Sequence, residues 1–245
     1  MRGISIEPSA LGRILVPEDL PPGFALFWTT ADYTGKLDAD SIRKIEEILL
    51  AFGLDAVLST CQQVHGSAVQ RIEATRDRWC EYASCDGLWT DLSPASIGIK
   101  IADCLPLSLI DPVNRVIANV HVGWRGAVAG VVGRTLDALD GAERLSSLNA
   151  RAYLGPAIRR CCFEVGEEVV SELSNTVEDI DRFVDRTRGP RPHVDLAGIA
   201  VAELQHWGIR HVFDTELCTR CDGSIFHSYR RDGEKAGRNL AIVGQ

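Results

Sequence analysis

The sequence predicts a mixed α/β (α+β) protein in which β-sheets are covered by helices. Short segments rich in isoleucine and valine have the length and composition of strands, and other segments place apolar residues at helical spacing. The 245 residues are 45% hydrophobic and 24% charged, which is typical of a globular protein with a sizeable core. Neither a repeat of solenoid length nor a low-complexity tract divides the chain. We therefore predict one domain over residues 1–245.

The first predicted helix runs from Asp40 to Gly53, and its glycine is well placed to end it. Its apolar residues recur at helical spacing: Ile42, Ile45, Ile48, Leu49 and Phe52. Four apolar segments after it predict strands, at residues 56–58, 97–101, 105–110 and 115–122. The turn Asp111-Pro112-Val113-Asn114 between the last two segments predicts a β-hairpin.

The pattern changes after His121. Gly123 and Gly126 bracket Trp124-Arg125, and the segment from Ala127 to Leu139 has a helical distribution of apolar residues. This order predicts a strand, a tight turn and a helix. Two later helices are predicted over residues 164–173 and 196–207, the second capped by Asp195 and ended by Gly208, with a surface loop over residues 185–192 between them.

The charge balance argues against nucleic acid as a partner. The formal net charge is −8 and the sequence pI is about 5.3, so no broad positive surface is expected. The first twenty residues contain no signal-peptide-like apolar stretch, and no later run approaches the roughly 18 apolar residues of a spanning helix. We therefore expect a cytoplasmic protein without a membrane partner, whose eight cysteines are mainly thiols.

Cysteine spacing gives weak support for a structural zinc site. The motif Cys218-Thr219-Arg220-Cys221 is a CxxC pair without a second such pair, and Cys161 and Cys162 are adjacent. Cys80 and Cys85 lack a zinc-ribbon spacing. The sequence leaves the role of Cys218 and Cys221 open, and it does not indicate an oligomeric state.

Three residues with metal-binding side chains lie where apolar runs break: His65, Cys104 and His121. If these breaks meet at one edge of a sheet, two imidazoles and a thiolate can bind one zinc ion. Three protein ligands leave a fourth position for water or substrate, which is typical of a catalytic site. Each residue taken alone has a structural alternative, as a packed cysteine or a hydrogen-bonded histidine. The combination of the three therefore predicts a zinc enzyme.

Two charged residues flank these candidate ligands. Asp103 precedes Cys104 and is a candidate catalytic group, either as an acceptor for a ligand imidazole or as a proton carrier; its alternative role is in a turn or an ion pair. Arg125 precedes the predicted helix, where free backbone N–H groups already favour an anion. We predict that Arg125 binds phosphate or carboxylate, the alternative being a structural salt bridge.

The order of several motifs resembles that of the YfiH-type laccase-domain proteins, from about Val57 to Val243. The motifs that carry the resemblance are Gln63-Val64-His65-Gly66, Asp86-Gly87-Leu88-Trp89-Thr90, Ala102-Asp103-Cys104-Leu105-Pro106-Leu107, His121-Val122-Gly123-Trp124-Arg125-Gly126, Gly155-Pro156-Ala157-Ile158, Cys218-Thr219-Arg220-Cys221, Ser228-Tyr229-Arg230-Arg231-Asp232 and Gly237-Arg238. Several motifs in the right order are more specific than any one of them.

The resemblance implies a purine nucleoside phosphorylase that accepts adenosine, inosine, guanosine and methylthioadenosine, with adenosine deaminase activity as well. It places the catalytic zinc at His65, Cys104 and His121 and implies purine nucleoside and phosphate as ligands. Relatives usually carry a Phe-Ser-Thr-Arg-like segment near the N-terminus, where this chain has Phe27-Trp28-Thr29-Thr30. We therefore describe residues 1–55 as divergent, with a possible change of substrate.

Other functions remain compatible with the sequence. Cys104 can act as a nucleophile with His121 as its base in a metal-independent hydrolase or deamidase. A peptidoglycan editing protein or a non-catalytic accessory protein can retain the ligands as a relic. Copper oxidase chemistry, which an older interpretation gave the family, ranks below these because multicopper sites need many histidines and this chain has six.

Overall fold

The structure is a computed structural model that describes residues 3–74 and 79–245. Six α-helices are present in these residues: α1 (Ala39–Ala51), α2 (Trp124–Val128), α3 (Val131–Gly141), α4 (Glu167–Ser174), α5 (Leu196–His206) and α6 (Tyr229–Asp232). The strands in the first half are β1 (Ile4–Ser9), β2 (Gly12–Pro17), β3 (Ala25–Thr29), β4 (Leu58–Cys61), β5 (Val69–Arg71), β6 (Trp79–Tyr82), β7 (Gly87–Thr90), β8 (Ser96–Ile101), β9 (Leu105–Asp111) and β10 (Val116–Val122). Those in the second half are β11 (Arg151–Leu154), β12 (Val184–Asp185), β13 (His193–Val194), β14 (His211–Asp214) and β15 (Asn239–Gly244).

The strands form two large mixed sheets and one short pair. The first sheet has the order β1-β2-β3-β15-β8-β4-β6, the second has β14-β11-β9-β10-β7-β5, and β12 pairs with β13. Most neighbours are antiparallel, whereas β4 runs parallel to both β6 and β8, β5 to β7, and β11 to β14. The predicted mixed α/β class is therefore confirmed.

The two sheets pack face to face around a shared apolar core. Leu26 and Trp28 of β3 contact this core from the first sheet, and Ile110 of β9 and Ile117 of β10 from the second. Side chains alternate between the faces of a strand, so the neighbouring Phe27 belongs to a different cluster on the outer face. The molecule thus has two sheets at its centre, each with a second apolar face to cover.

Helices cover the outer faces. The apolar side of α1 packs on the first sheet through Ile42, Ile45, Ile48 and Leu49. Helices α3 and α5 cover the second sheet, where Leu136 of α3 and three α5 residues share an apolar cluster with β9 and β10: Ala197, Ala200 and Leu204. Among the described residues, no helix is both long and apolar enough to cross a membrane.

Several local predictions are confirmed. Helix α1 occupies the predicted segment, β9 and β10 form the predicted antiparallel hairpin, and Asp195 caps α5 by accepting a hydrogen bond from the Gly198 N–H. Gly208 follows α5 with φ +82°. The continuous helix predicted over residues 127–139 is wrong, because Gly130 adopts φ +74° and separates α2 from α3.

Other boundaries differ by a few residues. The strand predicted at 56–58 begins only at Leu58, and the helix predicted from Glu164 begins at Glu167. The strands β1 to β3 of the N-terminal region were not predicted, although they form one end of the first sheet. The chain crosses from the first sheet to the second between Ile101 of β8 and Leu105 of β9. This crossing carries Asp103 and Cys104.

Candidate metal centre

His65, Cys104 and His121 converge at the crossing between the two sheets. One ligand atom from each of the three side chains lies within 4.8 Å of the others. His65 follows β4 of the first sheet, and His121 belongs to β10 of the second sheet. Cys104 lies in the connection from β8 of the first sheet to β9 of the second. The two imidazole rings meet edge to face, with their centroids 4.8 Å apart. The structure therefore brings together the three ligands that the sequence predicts.

A strained turn carries His65. This residue has φ +59°, a left-handed conformation that is uncommon outside glycine. The carboxylate of Asp86 accepts hydrogen bonds from the backbone N–H groups of Val64 (3.2 Å), His65 (2.9 Å) and Gly66 (2.7 Å). Three bonds to one buried carboxylate fix the turn, so the imidazole of His65 is held in place by its own backbone.

The same carboxylate orients His121. Its Oδ1 atom lies 2.8 Å from Nδ1 of His121, and both side chains are buried. This bond leaves Nε2 of His121 available to the cluster. Burial alone would lower the pKa of His121, but the hydrogen bonds to Asp86 and Cys104 outweigh it and raise the pKa to about 9. Asp86 is thus the carboxylate partner that commonly supports a metal-bound histidine.

The environment of Cys104 lowers its pKa and so favours the thiolate. Burial opposes its thiolate, but hydrogen bonds to His121 and His65 prevail and lower the pKa of Cys104 to about 6. A thiolate and two imidazoles are borderline-soft donors that suit zinc, and three of them leave one tetrahedral position open. The donor set and its spacing therefore fit the zinc ion that the sequence predicts.

Gly123 allows the three ligands to approach one another. A Cβ atom at this position would lie 3.2 Å from Cδ2 of His65 and 3.3 Å from Sγ of Cys104. These separations are tighter than ordinary van der Waals contact, so a larger residue would press on two ligands at once. The glycine after β10 therefore contributes to the shape of the site as well as to the turn.

Asp103 is fixed beside the cluster. It has φ +91°, and its carboxylate accepts hydrogen bonds from the Thr219 hydroxyl and the Arg230 backbone N–H, both at 2.6 Å. The carboxylate that bonds to the imidazole of His121 belongs to Asp86 and not to Asp103. The role of Asp103 as a proton carrier stays a prediction.

The cluster opens into a cavity of about 650 Å³. Polar and charged side chains line it together with the metal ligands: Gln62, Gln63, Glu81, Lys100, Asp103, Arg230 and Arg238. Two aromatic residues also line the cavity: Phe163, which is buried and has the Arg230 guanidinium 5.7 Å from its ring centroid, and Tyr229, which is 52% exposed. The side-chain amide of Gln63 exchanges two hydrogen bonds with the backbone of Lys100, which fixes this part of the wall.

Arg125 lies apart from this cavity. It is exposed on α2, its guanidinium is 4.3 Å from the centroid of the Trp124 ring, and it is not among the residues that line the cavity. Anion binding by Arg125 stays a prediction. Among the described residues, the arginines that line the cavity are Arg230 and Arg238, and Arg230 also donates to the carbonyl of Glu164.

Sequence reasoning missed Asp86 as a site residue. The residue stands directly before β7, in a motif quoted for its resemblance alone, and spacing gives no sign that it bonds to residues 20 to 35 positions away. Arg230 and Tyr229 were also missed as lining residues. The adjacent aromatic and charged residues within the motif Ser228-Tyr229-Arg230-Arg231-Asp232 were the available signal.

A protein-family model described as multi-copper polyphenol oxidoreductase laccase matches residues 31–245. The chain belongs to this laccase family. The predicted resemblance is therefore confirmed. Within the family, the chain is 30% identical over 205 residues to purine nucleoside phosphorylase YlmD of Geobacillus stearothermophilus, which covers 80% of this chain and 74% of that protein.

Two further comparisons agree with this membership. The chain is 32% identical over 161 residues to adenosine deaminase RL5 of an unknown prokaryotic organism, covering 64% of this chain and 61% of that protein. The crystal structure of the hypothetical protein YfiH of Bacillus licheniformis superposes with a TM-score of 0.86 and 23% identity, covering 100% of this chain and 99% of that one. The chain thus shares its fold with YfiH.

Proposed function

We propose that this laccase-family chain is a zinc-dependent purine nucleoside phosphorylase that also deaminates adenosine. Its substrates would be adenosine, inosine, guanosine and methylthioadenosine. The observation that carries the proposal is the convergence of His65, Cys104 and His121, with their ligand atoms within 4.8 Å, at the wall of a cavity of about 650 Å³. The names of the relatives, purine nucleoside phosphorylase and adenosine deaminase, support the same chemistry.

His65, Cys104 and His121 would hold the zinc ion, with Asp86 fixing two of them. A bound zinc ion supplies a Lewis acid at the open end of the cluster, where it can activate water or polarise a purine atom. Because Asp86 bonds to both the turn of His65 and the ring of His121, the ligand geometry is set before substrate binds. Copper is a weaker candidate, since its oxidase sites need more histidine ligands.

The cavity has groups suited to each part of a nucleoside and phosphate. Phe163 and Tyr229 offer aromatic faces on which a purine ring can stack, an interaction worth about 1–3 kcal/mol per base in nucleic-acid complexes. Arg230 and Arg238 offer guanidinium groups for phosphate oxygens. Arg125, on the exposed face of α2, remains a further candidate for the anion.

Asp103 would carry a proton in both reactions. In phosphorolysis, a phosphate oxygen bonds to the anomeric carbon of ribose while the bond to the purine nitrogen breaks. The purine leaves with the electron pair and must be protonated, and the product is the ribose 1-phosphate. In deamination, water adds to the purine ring and ammonia leaves after a proton transfer. The location of Asp103 in the cavity wall, next to Cys104 in the chain, supports this role.

Product analysis distinguishes the two activities. The zinc-loaded chain is incubated with each of the four nucleosides, with and without phosphate, and the products are separated by chromatography. We expect free base and a sugar 1-phosphate only with phosphate, the sugar product being ribose 1-phosphate or, from methylthioadenosine, 5-methylthioribose 1-phosphate. Without phosphate, adenosine should give inosine and ammonia. Cys104→Ala should abolish both products and lower zinc content, while Cys80→Ser, outside the cavity, retains both. A fully zinc-loaded chain that leaves all four nucleosides unchanged would refute the proposal.

One observation favours a second candidate, a metal-independent cysteine hydrolase. Asp86, His121 and Cys104 are connected in series, and the pKa of Cys104 is lowered to about 6, as in a nucleophile activated by a histidine. An electrophile that labels Cys104 in the chelated chain tests this alternative. If added zinc blocks labelling, the thiolate is a metal ligand; acyl transfer that persists in chelator would favour the hydrolase.

A further inference from the structure

A second group of metal-binding side chains lies outside the candidate active site. Cys161, Cys162, Cys218 and Cys221 bring their four sulfur atoms within 4.8 Å of one another. Sγ of Cys221 is 3.6 Å from that of Cys161 and 3.3 Å from that of Cys162. Four sulfurs bound at about 2.3 Å to one tetrahedral ion are about 3.8 Å apart. The cluster therefore has the dimensions of a tetrathiolate metal site.

The backbone explains how the CxxC segment presents both sulfurs to one point. The N–H of Asp222 donates to the carbonyl of Cys218 at 2.9 Å, which closes a single helical turn. Residues three apart lie on the same side of such a turn. The carboxylate of Asp222 also accepts a hydrogen bond from the N–H of Cys218 at 3.2 Å, so the turn is held at both ends.

Adjacent cysteines rarely point to the same place, but the turn at residues 160–162 makes it possible. In an extended strand the side chains of Cys161 and Cys162 would lie on opposite faces. Here the N–H groups of Cys162 and Phe163 both donate to the carbonyl of Arg159, at 2.8 and 2.9 Å, and the chain bends around the two cysteines. Both sulfurs can therefore meet the CxxC turn.

The charge of four metal-bound thiolates needs nearby positive groups to offset it. Arg160 in one segment and Arg220 in the other are each next to a cysteine in the sequence, whereas the guanidinium of Arg159 pairs with Asp214. A zinc ion with four thiolates carries two negative charges, which neighbouring arginines can offset.

We propose that Cys161, Cys162, Cys218 and Cys221 bind a structural zinc ion through four thiolates, separately from the His65, Cys104 and His121 cluster. All four positions of the ion would be occupied by protein, which distinguishes a structural site from a catalytic one. Zinc is the class of ion that soft, tetrahedral sulfur donors select in the absence of sulfide. The sequence spacing does not reveal the site because its two halves are about 60 residues apart.

The site would hold one wall of the cavity together. Phe163, which follows the adjacent cysteines, lines the cavity, and Thr219, inside the CxxC turn, donates to Asp103 at 2.6 Å. Backbone bonds already connect the two segments, from Ala157 N–H to the Leu217 carbonyl and from Thr219 N–H to the Ala157 carbonyl. A zinc ion would add a crosslink at the exposed end of this contact.

Zinc analysis of variants that lack the first cluster tests the proposal. The chain and its Cys104→Ala variant are purified under reducing, anaerobic conditions, loaded with zinc and dialysed. We expect about two zinc ions per chain in the former and about one in the latter. X-ray absorption of the Cys104→Ala variant should show four sulfur neighbours at about 2.3 Å. Neither measurement depends on activity, and the zinc content of the Cys104→Ala variant does not depend on the first cluster, so the proposed function can fail without affecting that result.

Matched variants assign the remaining ion. Cys104→Ala/Cys221→Ser should lose it, Cys104→Ala/Cys80→Ser should keep it, and Cys104→Ala/Cys221→His should keep it with one sulfur neighbour replaced by nitrogen. The His variant guards against simple misfolding, because Cys221 is exposed and histidine can serve as a ligand. A Cys104→Ala variant without zinc, or with zinc that Cys221→Ser does not remove, would overturn the proposal. So would a disulfide from Cys221 to either adjacent cysteine in the metal-loaded chain.

Discussion

At the scale of single residues, Asp86 connects three parts of the candidate active site. Its buried carboxylate bonds to the backbone of Val64, His65 and Gly66 and to the ring of His121. Burial would raise the pKa of Asp86, but these bonds, with His121 the strongest, keep it lowered. One carboxylate thus sets the position of two of the three proposed ligands.

Asp86→Asn should weaken zinc binding while keeping the size of the side chain. The amide supplies one acceptor oxygen in place of two, so the turn at His65 and the ring of His121 lose part of their support. We expect zinc affinity to fall about 10–100-fold, as measured by competition with a chelating dye. Asp91→Asn is the control, because Asp91 pairs with Arg71 and Arg144 outside the cavity. Equal zinc affinity in the two variants would exclude a supporting role for Asp86.

Cys104 should react as a thiolate at mildly acidic pH in the zinc-free chain. Its pKa is lowered to about 6, whereas an ordinary cysteine has a pKa of about 8.5. Labelling by iodoacetamide, followed at Cys104 by peptide mass spectrometry, should reach half its maximal rate near pH 6. His121→Ala should move this midpoint upward, because the imidazole that stabilises the thiolate is removed. A wild-type midpoint above pH 8 would contradict the predicted environment.

The lowered pKa of Cys104 also makes the stability of the zinc-free chain depend on pH. Because the folded chain lowers the pKa of Cys104, its thiolate stabilises the zinc-free fold above the ordinary pKa of about 8.5. That contribution declines as the pH falls from there and is lost below about pH 6. His121 acts in the opposite direction, because folding raises its pKa from about 6.5 to about 9. Its protonated imidazole stabilises the fold fully below about pH 6.5, and that contribution is lost as the pH rises through about 9.

At the scale of elements, the turn from β10 to α2 sets how closely the ligands approach. Gly123→Ala should lower zinc affinity about tenfold or more, because its Cβ would lie 3.2 Å from the ring of His65 and 3.3 Å from the sulfur of Cys104. Isothermal titration with zinc checks this. Gly141→Ala in the last turn of α3 is the control, since a Cβ there meets nothing within 4 Å. Unchanged affinity in Gly123→Ala would show that the ligands move apart at no cost.

Elements with a clear local pattern were predictable, and those fixed by partners were not. Helix α1 has a regular apolar face and the β9–β10 hairpin has its turn residues, so local physics determines both. The break between α2 and α3 was missed because Gly130 lies within an otherwise helical pattern. Strand β3 was missed because it pairs with β15, which is more than 200 residues away along the chain, whereas the local β1–β2 hairpin was not recognised in the sequence pattern.

At the scale of the whole molecule, a buried asparagine connects the two sheets. Asn119 of β10 donates from its side-chain amide to the carbonyls of Ile97 (3.0 Å) and Ala241 (2.9 Å) in the first sheet. Its oxygen accepts a hydrogen bond from the hydroxyl of Ser108 at 3.0 Å. All of these polar groups lie within the apolar interface, where an unsatisfied group is costly. The asparagine therefore fixes how the sheets are placed relative to each other, and with them the three proposed ligands.

Asn119→Ala should destabilise the fold by about 1–3 kcal/mol, because it removes these bonds and leaves the Ser108 hydroxyl without its acceptor. The free energy of unfolding, measured by urea titration, checks this. Asn149→Ala is the control, since Asn149 is exposed and bonds only to Ser146 in a loop. We expect the control to change stability by less than about 0.5 kcal/mol. Equal free energies for the two variants would show that the bridge between the sheets contributes nothing.

The sequence by itself determined the fold class, the family and the three residues that converge at the crossing between the sheets. Apolar periodicity, turn residues and motif order are properties of the sequence itself, so they can be recognised without the structure. The tertiary structure alone decided that Asp86 supports the ligands, that Arg230 and Arg238 rather than Arg125 line the cavity, and that four distant cysteines form a second cluster. These contacts join segments that are far apart in the sequence and that only the packing of the two sheets brings together. The spacing of these residues along the chain therefore did not predict the contacts.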